Sequence, residues 1–121
     1  MTSTIKYMTF DCHDPVLVAE FWSAALGYET VRWDDYDGAT SLPTDGSRLH
    51  LGFLKVPEGK TVKNRLHLDI EPSETTMESE VERLIGLGAT RIKLFNESSG
   101  PWTVMIDPEG NEFCVAQPDA V

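Results

Sequence analysis

The chain predicts an α+β fold of two tandem βαβββ modules, and three observations carry that prediction. Strand-like runs with a side-chain period of two and stripes of helical period fall in the order strand, helix, strand, strand, strand, and the order occurs twice. Three landmarks recur at nearly constant separation: Tyr7 to His67 by 60 positions, Gly27 to Gly88 by 61 and His50 to Glu112 by 62. A drift of one residue at a time is what small loop insertions in a duplicated unit produce. Finally, 121 residues with 40% apolar side chains suffice for one domain, residues 1–121, without disulfides or a metal. Module one covers about 4–58 and module two about 63–118.

Each element has a local reason. Ile5 to Cys12 alternates, with Met8, Phe10 and Cys12 opposite Tyr7, Thr9 and Asp11. The period then changes: Asp14 is a good N-cap, Pro15 suits the first helical position, and Val18, Phe21, Trp22, Ala25 and Leu26 form a stripe that Gly27 can end, predicting a helix over 15–26. Strands follow at 28–34, 39–42 and 49–56, separated by turns at Asp37-Gly38 and Asp45-Gly46. In the last of these, His50, Gly52 and Leu54 oppose Leu49, Leu51 and Phe53.

After a polar connector over 57–63, Asn64 to Ile70 alternates so that Arg65, His67 and Asp69 oppose Leu66, Leu68 and Ile70. Ser73 can cap a second helix over 74–87, in which Met77, Val81, Leu84 and Ile85 recur at helical spacing and Gly88 ends the run. Strands are expected at 90–95, 102–106 and 111–116, with turns at 99–101 and 107–110. The predicted core comprises Met8, Phe10, Phe21, Trp22, Phe53, Leu66, Leu68, Val81, Leu84, Phe113 and Val115. Trp33 and Trp102 are read as core or hairpin residues that could also line a cleft.

If one helix covers one face of each sheet, the other face presents Tyr7, His50, His67 and Glu112 from the first and last strands of the two modules. Packed about a pseudo-twofold, the modules would bring these four side chains to one curved cavity. Arg65 shares the His67 face and could meet an anionic substrate group, or hold the connector, with Lys63, against carboxylates such as Asp69.

Composition narrows the partners. A net charge of −10, spread over both halves, repels phosphate backbones, so nucleic acid and anionic membranes are not expected as partners; the charge is read first as a solubility feature and is compatible with a cationic small molecule. No apolar run approaches the ~20 residues of a membrane span, and the N-terminus lacks the order of a signal peptide, so a cytoplasmic protein is expected. Cys12 and Cys114 lack CxxC spacing and are read as free thiols. There is no Gly-rich phosphate loop and no serine-histidine nucleophile arrangement.

Phe10-Asp11-Cys12-His13-Asp14-Pro15 running into Ala19-Glu20-Phe21-Trp22 and Ala25-Leu26-Gly27-Tyr28 resembles the vicinal oxygen chelate superfamily, the glyoxalase, bleomycin-resistance and dioxygenase group. The resemblance continues through Lys63 to Asp69 and through Asp107-Pro108-Glu109-Gly110-Asn111-Glu112-Phe113, and so spans essentially the whole chain. It implies a metal held by His50, His67 and Glu112, with Tyr7 standing where a histidine is usual and contacting substrate. Two imidazoles and a carboxylate suit divalent iron, manganese, nickel, cobalt or zinc and leave positions open. Such a cation polarises adjacent oxygens of a small oxygenated substrate in a lyase, isomerase or dioxygenase reaction, with Glu112 as a possible general base. The same resemblance admits a metal-free module of the bleomycin-resistance type that sequesters a cationic ligand. Superfamily members commonly pair modules across chains, which implies a homodimer.

Overall fold

A computed structural model describes residues 1–98 and 100–118. It consists of two compact units, Met1–Gly59 and a second beginning at Lys60. The first contains β1 (Tyr7–Cys12), α1 (Pro15–Leu26), β2 (Glu29–Arg32), β3 (Gly38–Leu42) and β4 (His50–Lys55). The second contains β5 (Leu68–Ile70), α2 (Met77–Leu87), β6 (Thr90–Glu97), β7 (Gly100–Ile106) and β8 (Glu112–Ala116). The sheets have the strand orders β1-β4-β3-β2 and β5-β8-β7-β6, so the second repeats the topology of the first. In each the outer pair, β1 with β4 and β5 with β8, is parallel and the remaining pairs are antiparallel. The fold is α+β with two βαβββ modules and mixed sheets, as expected.

Helix α1 forms where the capping residues put it. The Asp14 carboxylate accepts the Leu17 amide at 3.2 Å, Pro15 opens the helix, and Gly27 closes it at φ 72°, a left-handed conformation costly for any residue with a Cβ. Val18, Ala19, Phe21 and Trp22 are buried with Ala39, Leu51 and Phe53 of the sheet. Phe10 is half-buried and stacks on Phe53 at 5.4 Å between ring centroids. Polar groups trapped between helix and sheet satisfy one another: Thr30 donates to Ser23 at 2.7 Å, Ser23 and Ser41 share a hydrogen bond at 2.8 Å, and Ser41 donates to the Ala19 carbonyl at 2.9 Å.

In the second unit, Met77, Val81 and Leu84 of α2 and Thr103, Met105, Phe113 and Val115 of the sheet are buried. The helix is three residues shorter at its start than predicted. Thr76, not Ser73, is the cap, accepting the Ser79 amide at 3.2 Å, while the Met77 amide is taken by the Gln117 side chain at 3.1 Å. Ile85, expected in the apolar stripe, is exposed. The predicted turn at 99–101 differs too: Gly100 and Pro101 belong to β7, and Ser99 lies outside the described residues.

The larger correction concerns 64–70, of which only Leu68–Ile70 is strand. The ladder with β8 starts at Leu68 opposite Phe113, and β8 itself starts at Glu112, so 64–66 would have to pair with the turn before it. Asn64 instead bonds to Glu112 and Asn111, and the chain bends at Arg65 and Leu66. Leu66, predicted in the core, is consequently 72% exposed. Among the described residues, no helix is long and apolar enough to cross a membrane.

Candidate functional site

In the first module, strand parity and register bring two of the predicted residues together. Tyr7 and His50 are Cα partners in the parallel β1–β4 ladder, and their rings meet edge to face with centroids 5.6 Å apart. They lie at the open end of this ladder beside a recess of about 310 Å³ lined by Thr4, Ile5, Lys6, Tyr7, Arg48 and His50. Farther along the same face, Trp33 lies across Gly38 and Gly52. A Cβ on Gly38 would overlap the indole ring, and one on Gly52 would come within 2.9 Å of the Thr9 hydroxyl and 3.5 Å of the indole. The indole N–H donates to the Thr40 hydroxyl at 2.7 Å, which fixes the ring. The two glycines thus give Trp33 its place on the non-helix face, a packing role that also makes it a wall.

In the second module, the predicted residues have other partners. The Glu112 carboxylate accepts the Lys60 ammonium on Oε2 at 2.9 Å and the Asn64 amide on Oε1 at 2.8 Å. His67 Nδ1 lies 3.0 Å from Asp69 Oδ1. Asp69 and Cys114 are Cα partners in the β5–β8 ladder, and ligand atoms of His67, Asp69 and Cys114 all lie within 4.8 Å of one another. Burial pushes the Cys114 thiol up to about 11, helped by the charge of Asp69 and a hydrogen bond to it and opposed by Lys63. Trp102, opposite Ala116 on the same face as Cys114, stacks on Phe95 at 5.2 Å.

Burial alone would raise the Glu112 carboxyl, but the Asn64 amide, the Lys60 ammonium and its own amide outweigh it and hold the group below the usual carboxylate range. A depressed folded pKa gives stability that is complete above the unfolded value and is lost as pH falls through the folded one. Glu112→Gln should therefore lower stability by about 1–3 kcal/mol at pH 7, as expected for a charge-assisted hydrogen bond, and by progressively less below about pH 4. Urea midpoints of both proteins between pH 7 and pH 3 check this; a gap that widens on acidification would contradict it.

The profile of the glyoxalase-like domain matches residues 7–116. The chain belongs to this family. The resemblance to the vicinal oxygen chelate superfamily holds accordingly, and solved structures repeat the fold. A glyoxalase/bleomycin resistance protein/dioxygenase family enzyme from Burkholderia phytofirmans PsJN is 22% identical, with 91% of this chain and 94% of that one covered and a TM-score of 0.67. A genomically encoded fosfomycin resistance protein, FosX, from Listeria monocytogenes, in complex with Mn(II), is 14% identical over 96% of this chain and 90% of that one, with a TM-score of 0.72. TnmS3, an antibiotic binding protein from Streptomyces sp. CB03234, is 16% identical over 98% of both chains, with a TM-score of 0.68. No curated protein matches the chain.

A glyoxalase-like metal site would need Glu112 and His67 turned to one point with lone pairs free. Both Glu112 oxygens accept hydrogen bonds, one from a cation, and His67 Nδ1 lies against Asp69 rather than Glu112, so Glu112 would have to give up the Lys60 ammonium before the two could share a divalent ion. Tyr7 puts a phenol where the family resemblance implies an imidazole. Arg65 is exposed in the bend before β5, off the ladder that was expected to align it with His67. Lys6, Arg48, Lys60, Asn64, Asp69 and Cys114 were not singled out as site residues. For Asp69 and Cys114 the signal existed, since alternation puts them on the faces of His67 and Glu112. For Lys60 and Arg48, in irregular segments, there was none.

Proposed function

We propose that this glyoxalase-like protein binds a small anionic, partly aromatic molecule at the Tyr7–His50 end of its first module and does so without chemistry. The observation that carries this reading is the recess lining: two cationic residues, Lys6 and Arg48, share it with the phenol of Tyr7 and the imidazole of His50. Charge-assisted bonds to a carboxylate or phosphonate and edge contacts to a ring are what such a lining offers. The cationic occupant expected from the net charge is replaced, because the local charge of the recess has the opposite sign. Sequestration rather than turnover is supported by Glu112, the candidate base, which Lys60 and Asn64 hold ionised and hydrogen-bonded and so make less basic. A solved neighbour of the same fold, TnmS3, is an antibiotic binding protein, which supports a binding role. A homodimer in the cytoplasm completes the proposal.

Thermal unfolding with salicylate, phenylphosphonate and benzyltrimethylammonium tests it. The two anions should raise Tm by roughly 5–10 °C at 100-fold excess over Kd, and Arg48→Met should weaken them about tenfold. Stabilisation by the quaternary ammonium alone would overturn the reading. The competing account, a metal-dependent lyase, isomerase or dioxygenase using His50, His67 and Glu112, is favoured by one observation. Tyr7, His50 and Glu112 open β1, β4 and β8, and His67 immediately precedes β5, so all four hold equivalent positions in the repeat. On that account His50→Ala would strip bound metal and turnover together, rather than weaken anion binding.

A further inference from the structure

We propose that His67, Asp69 and Cys114 form a site for a thiophilic divalent cation such as zinc or cobalt, displaced along β8 from the Glu112 position the fold would suggest. Register and one side-chain contact bring the three donors together. Asp69 and Cys114 are opposite each other in the parallel ladder, and His67, immediately before that ladder, sets its ring against Asp69. Their ligand atoms lie within 4.8 Å of one another, and His67 Nδ1 is 3.0 Å from Asp69 Oδ1. A tetrahedral ion with bonds of about 2.0–2.3 Å needs ligand separations of roughly 3.3–3.8 Å, so small rotamer adjustments close the triad around it.

The donor chemistry is a nitrogen, an oxygen and a sulfur, the set zinc and cobalt take, and the thiolate favours them over magnesium or calcium. Access is open, with the side chains of His67 and Asp69 38% and 66% exposed, so water can complete the coordination. The nearest competition also points here. Lys60 occupies Glu112, whereas the contact between His67 and Asp69 is exposed to solvent and so readily exchanged for a metal. On binding, a metal–sulfur bond forms, the Cys114 thiol loses its proton to bulk water, and the hydrogen bond to Asp69 is exchanged for a shared metal. No electron transfer is involved.

All three residues belong to the second module, so the site stands or falls independently of the recess at Tyr7 and His50. Cobalt(II) titration of the reduced full chain is the test. One equivalent should bind with a near-ultraviolet thiolate-to-cobalt charge-transfer band and visible ligand-field bands. Cys114→Ser should abolish the charge-transfer band, while Cys12→Ser should keep it. His67→Ala and Asp69→Asn should each weaken binding at least tenfold with circular dichroism unchanged. Absence of the band in wild type, its persistence in Cys114→Ser, or cobalt binding that requires Glu112 and not Cys114 would overturn the assignment.

Discussion

Asp107→Ala is expected to destabilise the protein by about 3 kcal/mol, because it removes one buried carboxylate and orphans several donors at once. Asp107 is 3% exposed, and its Oδ1 accepts the amides of Glu109 and Asn111, both at 2.9 Å. The Asn111 side chain donates to Oδ1 at 3.2 Å and to Oδ2 at 3.0 Å. With alanine, the buried Asn111 amide and side chain lose these acceptors, and water must enter or the turn must rearrange. The consequence reaches the site. Asn111 Oδ1 accepts from the Asn64 side chain at 2.9 Å, and the Asn64 amide holds Glu112, the next residue after Asn111. Urea unfolding should show the loss, and hydrogen exchange should show faster amide exchange at Asn64 and Asn111. A change under about 0.5 kcal/mol, the range of ordinary surface substitutions, would mean the turn is not held by these bonds.

The same turn shows where the sequence could be read and where it could not. Asp107-Pro108-Glu109-Gly110 is recognisable as a hairpin turn from residue type, and the strands around it from alternation. The duplication then carried most of the fold, because topology repeated in two sheets needs only one correct reading. Parity also paired Tyr7 with His50, since both stand at the start of strands that end up parallel neighbours. Parity failed at Leu66, whose apolar alternation is real but has no strand to pair with, because β8 begins only at Glu112. Alternation states which face a residue would take in a ladder, not whether the ladder reaches it. Lys60 was illegible for a different reason: a lysine 52 positions from Glu112, in a connector without period, finds its partner only once the backbone is folded. The charge of the recess was hidden as well, because a net charge of −10 says nothing about where the few cations gather.

Trp22→Ala should produce a loss as large as any in the first module, about 3–5 kcal/mol, from lost transfer energy and the cavity left behind. Trp22 is fully buried, stacks with Phe10 at 6.3 Å and meets the edge of Phe21 at 5.2 Å, while Phe10 continues the stack onto Phe53. Its two aromatic neighbours, Phe10 and Phe21, cannot collapse into the space of an indole without leaving their rotamers, so relaxation recovers little. Since a domain of this size has only about 5–15 kcal/mol in total, the variant should populate unfolded chain readily on mild heating. Leu66→Ala is the matched control: it also removes a large apolar side chain, but one that is mostly in water, and should change stability by less than about 0.5 kcal/mol. Equal losses in the two variants would mean that Leu66 lies in a core after all. The functional consequence follows from the strands above the indole. Phe10 and Phe53, which rest on this cluster, belong to β1 and β4, the strands that begin with Tyr7 and His50. Loosening the cluster should therefore let those two rings lose their edge-to-face contact, and anion affinity at the recess should fall at temperatures where Trp22→Ala is still folded by circular dichroism. Unchanged affinity in the folded variant would show that the recess is set by the strand ends alone.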